Sequence, residues 1–177
     1  MAHSTLASSA AACLCLGLIT PLLASDPTLA AQPAPPLLGP ASASANSNEK
    51  LRAAAEPFEK LTEIFFETTL PPIDQTISEA QAAAQGVREL LPSDAAVRLH
   101  AQVAAMGSAR QAQDRAGLAL SSIEAYRVIV SAVADNAKVP TVVSLLDYAG
   151  FRYDADLKAN PARWGDMAAA VSFAREI

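Results

Sequence analysis

Four proline-containing breaks divide residues 49–177 into segments with helical periodicity. They lie at Pro71-Pro72, Pro92, Pro140 and Pro161. Proline has no N–H and a fixed φ, so it ends one helix or begins the next. Between the breaks, apolar residues recur every three or four positions, as in amphipathic helices. Much of the 51% apolar fraction is alanine, a strong helix former. The sequence therefore predicts an all-α, mostly antiparallel bundle of four to five helices.

The apolar positions also predict which face of each helix is buried. We expect helices over about 49–70 (regular from about 56), 71–91, 94–136, 142–158 and 161–177. The core face of the fourth helix is predicted to consist of Val142, Leu146, Ala149, Tyr153 and Leu157. The core face of the fifth is predicted to consist of Trp164, Ala168, Val171 and Ala174.

Residues 1–31 have the features of an export signal. Residues 6–23 are apolar and uncharged, and small-residue cleavage sites follow near Ala24 and Ala30. An uncleaved anchor is the alternative. Residues 32–48 are rich in proline, alanine and serine, which predicts a disordered linker before a bundle domain at 49–177. We therefore expect a periplasmic or secreted protein with no membrane span in its mature form.

Composition and motifs exclude several kinds of chemistry. The formal net charge is -5, without the basic patch of a nucleic-acid-binding protein. Cleavage of the leader removes Cys13 and Cys15, which excludes a disulfide, a thiolate zinc site and a cysteine nucleophile. Signatures for nucleotide binding, serine hydrolysis and covalent haem attachment are absent. No spacing assembles a nucleophile–base pair, so we do not expect an enzyme.

Unusual side chains concentrate in residues 145–166. Asp154 and Asp156 resemble a metal-binding pair, but residues two apart on a helix diverge by about 200° and cannot share an ion. We instead predict a polar-aromatic pocket where the last two helices meet the second half of the third. Its predicted residues are Tyr126, Tyr148, Tyr153 and Trp164 as walls, Arg127, Arg152 and Arg163 as anion-binding forks, and Asp147 orienting one arginine. Core aromatics beside solvated charges are the alternative interpretation.

Two functional hypotheses follow. The first is a non-catalytic binding or interaction module of the cell envelope, whose partner is an unknown envelope protein or a small anionic ligand. The second is a periplasmic haem- or metal-binding bundle that uses His100 with Met167, since His100 and Met106 point about 240° apart on one helix. The layout is similar to that of the cytochrome c′ class, although its C-x-x-C-H motif is absent.

Overall fold

The computed structural model describes residues 40–64, 70–135 and 139–177, and this part of the chain contains helices and no strands. The predicted signal peptide and linker residues 32–39 lie outside the described residues. These described residues form six helices, α1 Pro40–Ile64, α2 Leu70–Val87, α3 Ser93–Gln111, α4 Arg115–Val130, α5 Thr141–Lys158 and α6 Trp164–Glu176, with a 3₁₀ turn at Arg88–Leu90. The all-α prediction is confirmed.

Helices α1 to α4 form an up-down-up-down bundle. Helix α1 packs on α2 and α4, while α3 packs on α2 and α4. Lys50 in the first half of α1 lies beside Val87 at the end of α2. Asp74 in α2 pairs with Arg110 near the end of α3. Neighbouring helices therefore run antiparallel, as the sequence predicted.

The bundle core consists of large apolar side chains from all four helices. Ser122 of α4 is also fully buried, and its hydroxyl donates a hydrogen bond to the carbonyl of Phe58 in α1 at 3.1 Å. A small residue at this position lets the two helices approach closely. The largest fully buried apolar side chains are Phe58, Leu61, Ile73, Met106, Ile123 and Ile129.

Helix α1 begins earlier than the composition indicated. Residues 40–48 are helical, although their sequence predicted a linker. The buried side chain of Asn48 donates to the carbonyl of Ala134 at 3.3 Å and accepts from its N–H at 3.0 Å. Pro57 lies inside α1, which is continuous where a restart near residue 56 was predicted. Tertiary packing thus overrides local propensity in this helix.

The single long helix predicted over 94–136 is wrong, because the chain reverses between α3 and α4. Gln113 adopts a left-handed conformation with φ of 55°. The N–H of Asp114 donates to Ala109 at 2.9 Å and that of Gln113 donates to Arg110 at 3.2 Å, which is a Schellman motif. The Asp114 carboxylate then caps α4 by accepting from the N–H of Gly117 at 2.9 Å.

Helices α5 and α6 form a hairpin whose first helix packs on α4. Tyr126 meets Phe151 edge to face at 5.9 Å between ring centroids, and Tyr148 meets Phe173 at 5.2 Å. The last helix begins at Trp164, three residues after the predicted start at Pro161.

The predicted core faces of this hairpin are largely wrong. Helix α5 buries Tyr148, Ala149, Ala155 and Asp156, and α6 buries Met167 and Ala170. Of the predicted core residues, those left exposed are Val142, Leu146, Tyr153, Leu157, Trp164, Ala168 and Val171. The stripe that packs on α4 is more polar than the stripe that faces solvent.

Within the described residues, no helix has both the length and the hydropathy needed to cross a membrane.

Candidate functional site

A polar cluster centred on Glu124 joins the hairpin to α4. One carboxylate oxygen of Glu124 accepts from the Tyr148 hydroxyl at 2.9 Å and from Arg152 at 2.7 Å. The other oxygen accepts from Arg127 at 2.9 Å. We call Glu124, Arg127, Tyr148, Arg152 and Asp156 the Glu124 cluster. The Glu124 and Arg152 side chains are only 18% and 22% exposed, so these contacts are partly shielded from water.

Arg152 is held by carboxylates on several sides. Its Nε donates to Asp156 at 2.8 Å, and a terminal nitrogen lies 3.8 Å from Asp166. Burial opposes the charge on Arg152, but the hydrogen bond and charge of Asp156, with the charge of Glu124, raise the Arg152 pKa above its usual value. Asp156 is 0% exposed, and its Oδ1 has no hydrogen-bond partner among the described residues. The guanidinium of Arg152 thus interacts with carboxylates of this chain, those of Glu124, Asp156 and Asp166.

The charge balance of the cluster does not favour the binding of an added anion. Arg127 and Arg152 interact with three carboxylates, those of Glu124, Asp156 and Asp166. An added anion would compete with these carboxylates for the same donors. The predicted anion-binding forks of Arg127 and Arg152 are thus already occupied.

Tyr148 completes the cluster as a hydrogen-bond donor. Burial, and then the charge and hydrogen bond of Glu124, raise its pKa above the usual value, partly offset by Arg127 and Arg152. The Arg127 guanidinium lies 5.4 Å from the centre of the Tyr148 ring, a cation–π contact. Each of the five side chains of the cluster thus forms at least one hydrogen bond with another member.

The structure brings together three of the eight predicted site residues, Arg127, Tyr148 and Arg152. Tyr126 is buried nearby against Phe151, and burial together with the charge of Glu59 raises its pKa to about 12. The other four predicted residues, Asp147, Tyr153, Arg163 and Trp164, are exposed. Trp164 is 69% exposed.

Sequence reasoning missed Glu124 as the centre of the cluster. Its spacing of three residues from Arg127 was the available signal, because such pairs are neighbours on a helix. The pair formed by Arg152 and Asp156 has the four-residue spacing of neighbours on a helix. Its burial depends on Glu124, which lies on another helix.

An open pocket of about 190 Å³ lies between the start of α3 and the end of α4. Arg127 is the one predicted site residue that lines it. Asp94 and Arg98, also in the lining, pair with each other at 2.8 Å. The pocket is thus distinct from the predicted polar-aromatic pocket.

The geometry adds no support to the haem or metal alternative. His100 is exposed on α3, whereas Met167 is buried in α6. Within the described residues, no group of three or more histidine, cysteine and acidic side chains is arranged to hold a metal ion.

The hairpin instead presents an apolar surface, which we call the outer face. It consists of Val142, Leu146, Tyr153 and Leu157 of α5 with Trp164, Ala168 and Val171 of α6. At 100° per residue, each helix gathers its members within an arc of about 60°. On α6, Phe173 packs against the core, and Val171 and Trp164 point about 160–180° away from it. Both stripes therefore lie on the side of the hairpin away from α4.

Comparisons with protein-family models, curated proteins and solved structures gave no match for this chain. The class of protein is defined by helix packing: an up-down-up-down four-helix bundle that carries a C-terminal helical hairpin.

Proposed function

We propose that this chain is an exported, non-catalytic interaction module of the cell envelope that binds a protein chain through the outer face. The observation that carries this proposal is the exposure of the regular apolar stripes of both α5 and α6. Contiguous exposed apolar surface is rare on monomeric proteins and is typical of interaction sites.

The distribution of charge on α5 supports an interface. Six uncharged residues are exposed on one side of this helix: Val142, Val143, Leu146, Gly150, Tyr153 and Leu157. Asp147, Asp154 and Lys158 all lie on the adjoining side, within an arc of about 40°. Protein interfaces have this organisation, with an uncharged centre and a polar rim.

A protein partner is favoured over a small anionic ligand. The arginines best placed to bind an anion, Arg127 and Arg152, already interact with carboxylates. The outer face is instead an extended apolar surface, the kind of surface on which another polypeptide packs. Its exposed Trp164 and Tyr153 are residue types enriched at the centres of interfaces.

In-cell cross-linking tests this function. A photo-reactive amino acid replaces Leu146 on the outer face or, as a matched control, Val97, an apolar residue of α3 that is 69% exposed. We expect a discrete cross-linked band from position 146, identified by mass spectrometry, and none from position 97. Equal labelling at both positions, or none at either, would show that the outer face is not a preferred contact.

Export is a separate part of the proposal. We propose that residues 1–31 direct the chain to the periplasm or the medium, and that residues 32–39 connect the leader to the bundle. Fractionation of producing cells, with the intact mass of the recovered protein, tests it. We expect a chain that begins after Ala24 or Ala30, whereas cytoplasmic protein that begins at Met1 would refute export.

A further inference from the structure

We infer that the partner covering the outer face is a second copy of this chain, an inference that rests on the proposed interaction function and names its partner. A two-helix hairpin with one exposed apolar face can contribute two of the helices of a four-helix arrangement. Two copies can complete that arrangement by stacking their outer faces. The question is whether the face is complementary to itself.

The contacts within the hairpin define which residues of α5 and α6 lie at the same height. The N–H of Arg163 donates to the carbonyl of Asp156 at 2.9 Å, and Tyr148 meets Phe173 at 5.2 Å. A two-fold axis parallel to the helices preserves these heights. It places α5 of one copy on α6 of the other, with the two helices antiparallel.

Side-chain size is complementary in this arrangement. Tyr153 comes to the height of Ala168 of the second copy, and Gly150 comes to the height of Val171. A large residue therefore meets a small one at both positions, as knobs-into-holes packing requires. Nothing lies within 4 Å of a Cβ built on Gly150, so the chain itself leaves this space open.

The charges favour the same arrangement. Arg175 of α6 comes to within about one helical turn of the height of Asp147 in α5 of the second copy. The competing two-fold axis, perpendicular to the helices, would stack α5 on α5. Where this axis crosses α5 between Gly150 and Phe151, it brings Asp147 of one copy to the height of Asp154 of the other, and like charges at the same height repel.

The outer face is also large enough for a dimer. At 1.5 Å per residue, α5 is about 27 Å long and α6 about 20 Å long. Two helices packed about 9 Å apart give a face about 20 Å wide, or about 500 Å² in projection. Protruding side chains increase the accessible area toward the ~800 Å² per partner of a standard protein interface.

Sedimentation of the purified full chain tests the pairing. We expect a dimer at micromolar concentrations, and at least tenfold weaker association for Tyr153→Glu, which removes the large residue placed against Ala168. Gly150→Phe places a large side chain beside the outer face, where a Cβ meets nothing within 4 Å, so it too should weaken association. Val97→Glu, on α3, should associate like the wild-type chain, and circular dichroism should report equal helix content for all four proteins.

Two results would overturn the inference. One is a folded wild-type chain that remains monomeric at about 100 µM. The other is a dimer that Tyr153→Glu and Gly150→Phe leave unchanged, since its contacts would then lie elsewhere. If the chain is monomeric and position 146 still cross-links to a different protein in cells, self-pairing fails while the interaction function stands. If position 146 cross-links to nothing in cells and the chain is monomeric, both fail.

Discussion

Replacing Glu124 by glutamine tests whether the Glu124 cluster holds the hairpin to the bundle. The substitution keeps the size of the side chain and removes its charge. Arg152 and Arg127 then lose their shared carboxylate, and the Tyr148 hydroxyl keeps only a neutral acceptor. The change acts on α4 but weakens contacts made by α5.

The expected loss of stability follows from the exposure of each contact. The pair with Arg152 is partly buried, so its loss costs about 1 kcal/mol, near the low end for hydrogen bonds to charged groups. The pair with Arg127 is 40% exposed on the arginine side and contributes about 0.5 kcal/mol. Weakening the bond from Tyr148 adds about 0.5 kcal/mol. Glu124→Gln should therefore lower the free energy of unfolding by about 2 kcal/mol and, at about 4 °C per kcal/mol, Tm by about 8 °C.

Urea titration monitored by circular dichroism measures this loss at pH 7. Asp94→Asn is the matched control, because Asp94 and Arg98 form a solvent-exposed pair within one helix. Arg152→Met should cost more than Glu124→Gln, about 3 kcal/mol, because it leaves the buried carboxylate of Asp156 without its partner. If Glu124→Gln and Asp94→Asn unfold at the same urea concentration, the cluster does not stabilise the hairpin and the reasoning is wrong.

Three further changes test the α3–α4 turn and the buried phenol of Tyr126. Gln113→Gly should raise the free energy of unfolding by about 0.5–1 kcal/mol, because glycine adopts the left-handed conformation without a steric penalty; a loss of stability in urea would contradict this. Asp114→Ala should lower it by about 1 kcal/mol, because the N–H of Gly117 loses its cap; an unchanged urea midpoint would show that the cap is dispensable. The pKa of Tyr126 is raised to about 12, so its contribution to stability is present below about pH 10 and is lost as the pH rises toward 12. Tyr126→Phe should therefore lose less stability than the wild-type chain between pH 9 and pH 11, and parallel pH profiles would exclude this role for the phenol.

The positions of proline predicted several element boundaries correctly. Helix α2 begins at Leu70 with Pro71-Pro72 in its first turn, and Pro92 and Pro140 directly precede α3 and α5. The break between α3 and α4 was missed because it contains no proline or glycine. Gln113 occupies the left-handed position, where glycine is the usual residue and would have indicated a turn.

The buried face of the hairpin was predicted wrongly for a different reason. The periodicity argument assumes that the more apolar stripe of a helix packs inward. On α5 the inward stripe includes Arg152 and Asp156, and their burial depends on Glu124 of α4. A contact between residues 28 positions apart leaves no local pattern in the sequence. The same interaction explains why three predicted site residues do come together.

The wrongly predicted buried face and the assembly of three predicted site residues have a common cause in the sequence of α5. This helix has two stripes that could pack against α4, one apolar and one mixed. Burying the apolar stripe would leave Glu124 without two of its three donors, since Tyr148 and Arg152 would point away. Buried polar networks of this kind specify one packing over another, even where they add little net stability. The Glu124 cluster thus favours the packing in which the outer face points away from α4. Glu124→Gln should weaken this preference as well as stability, and we expect the fluorescence of Trp164 to shift to shorter wavelength in the variant at a dilution at which both proteins are monomeric; an unchanged spectrum would contradict this role of the cluster.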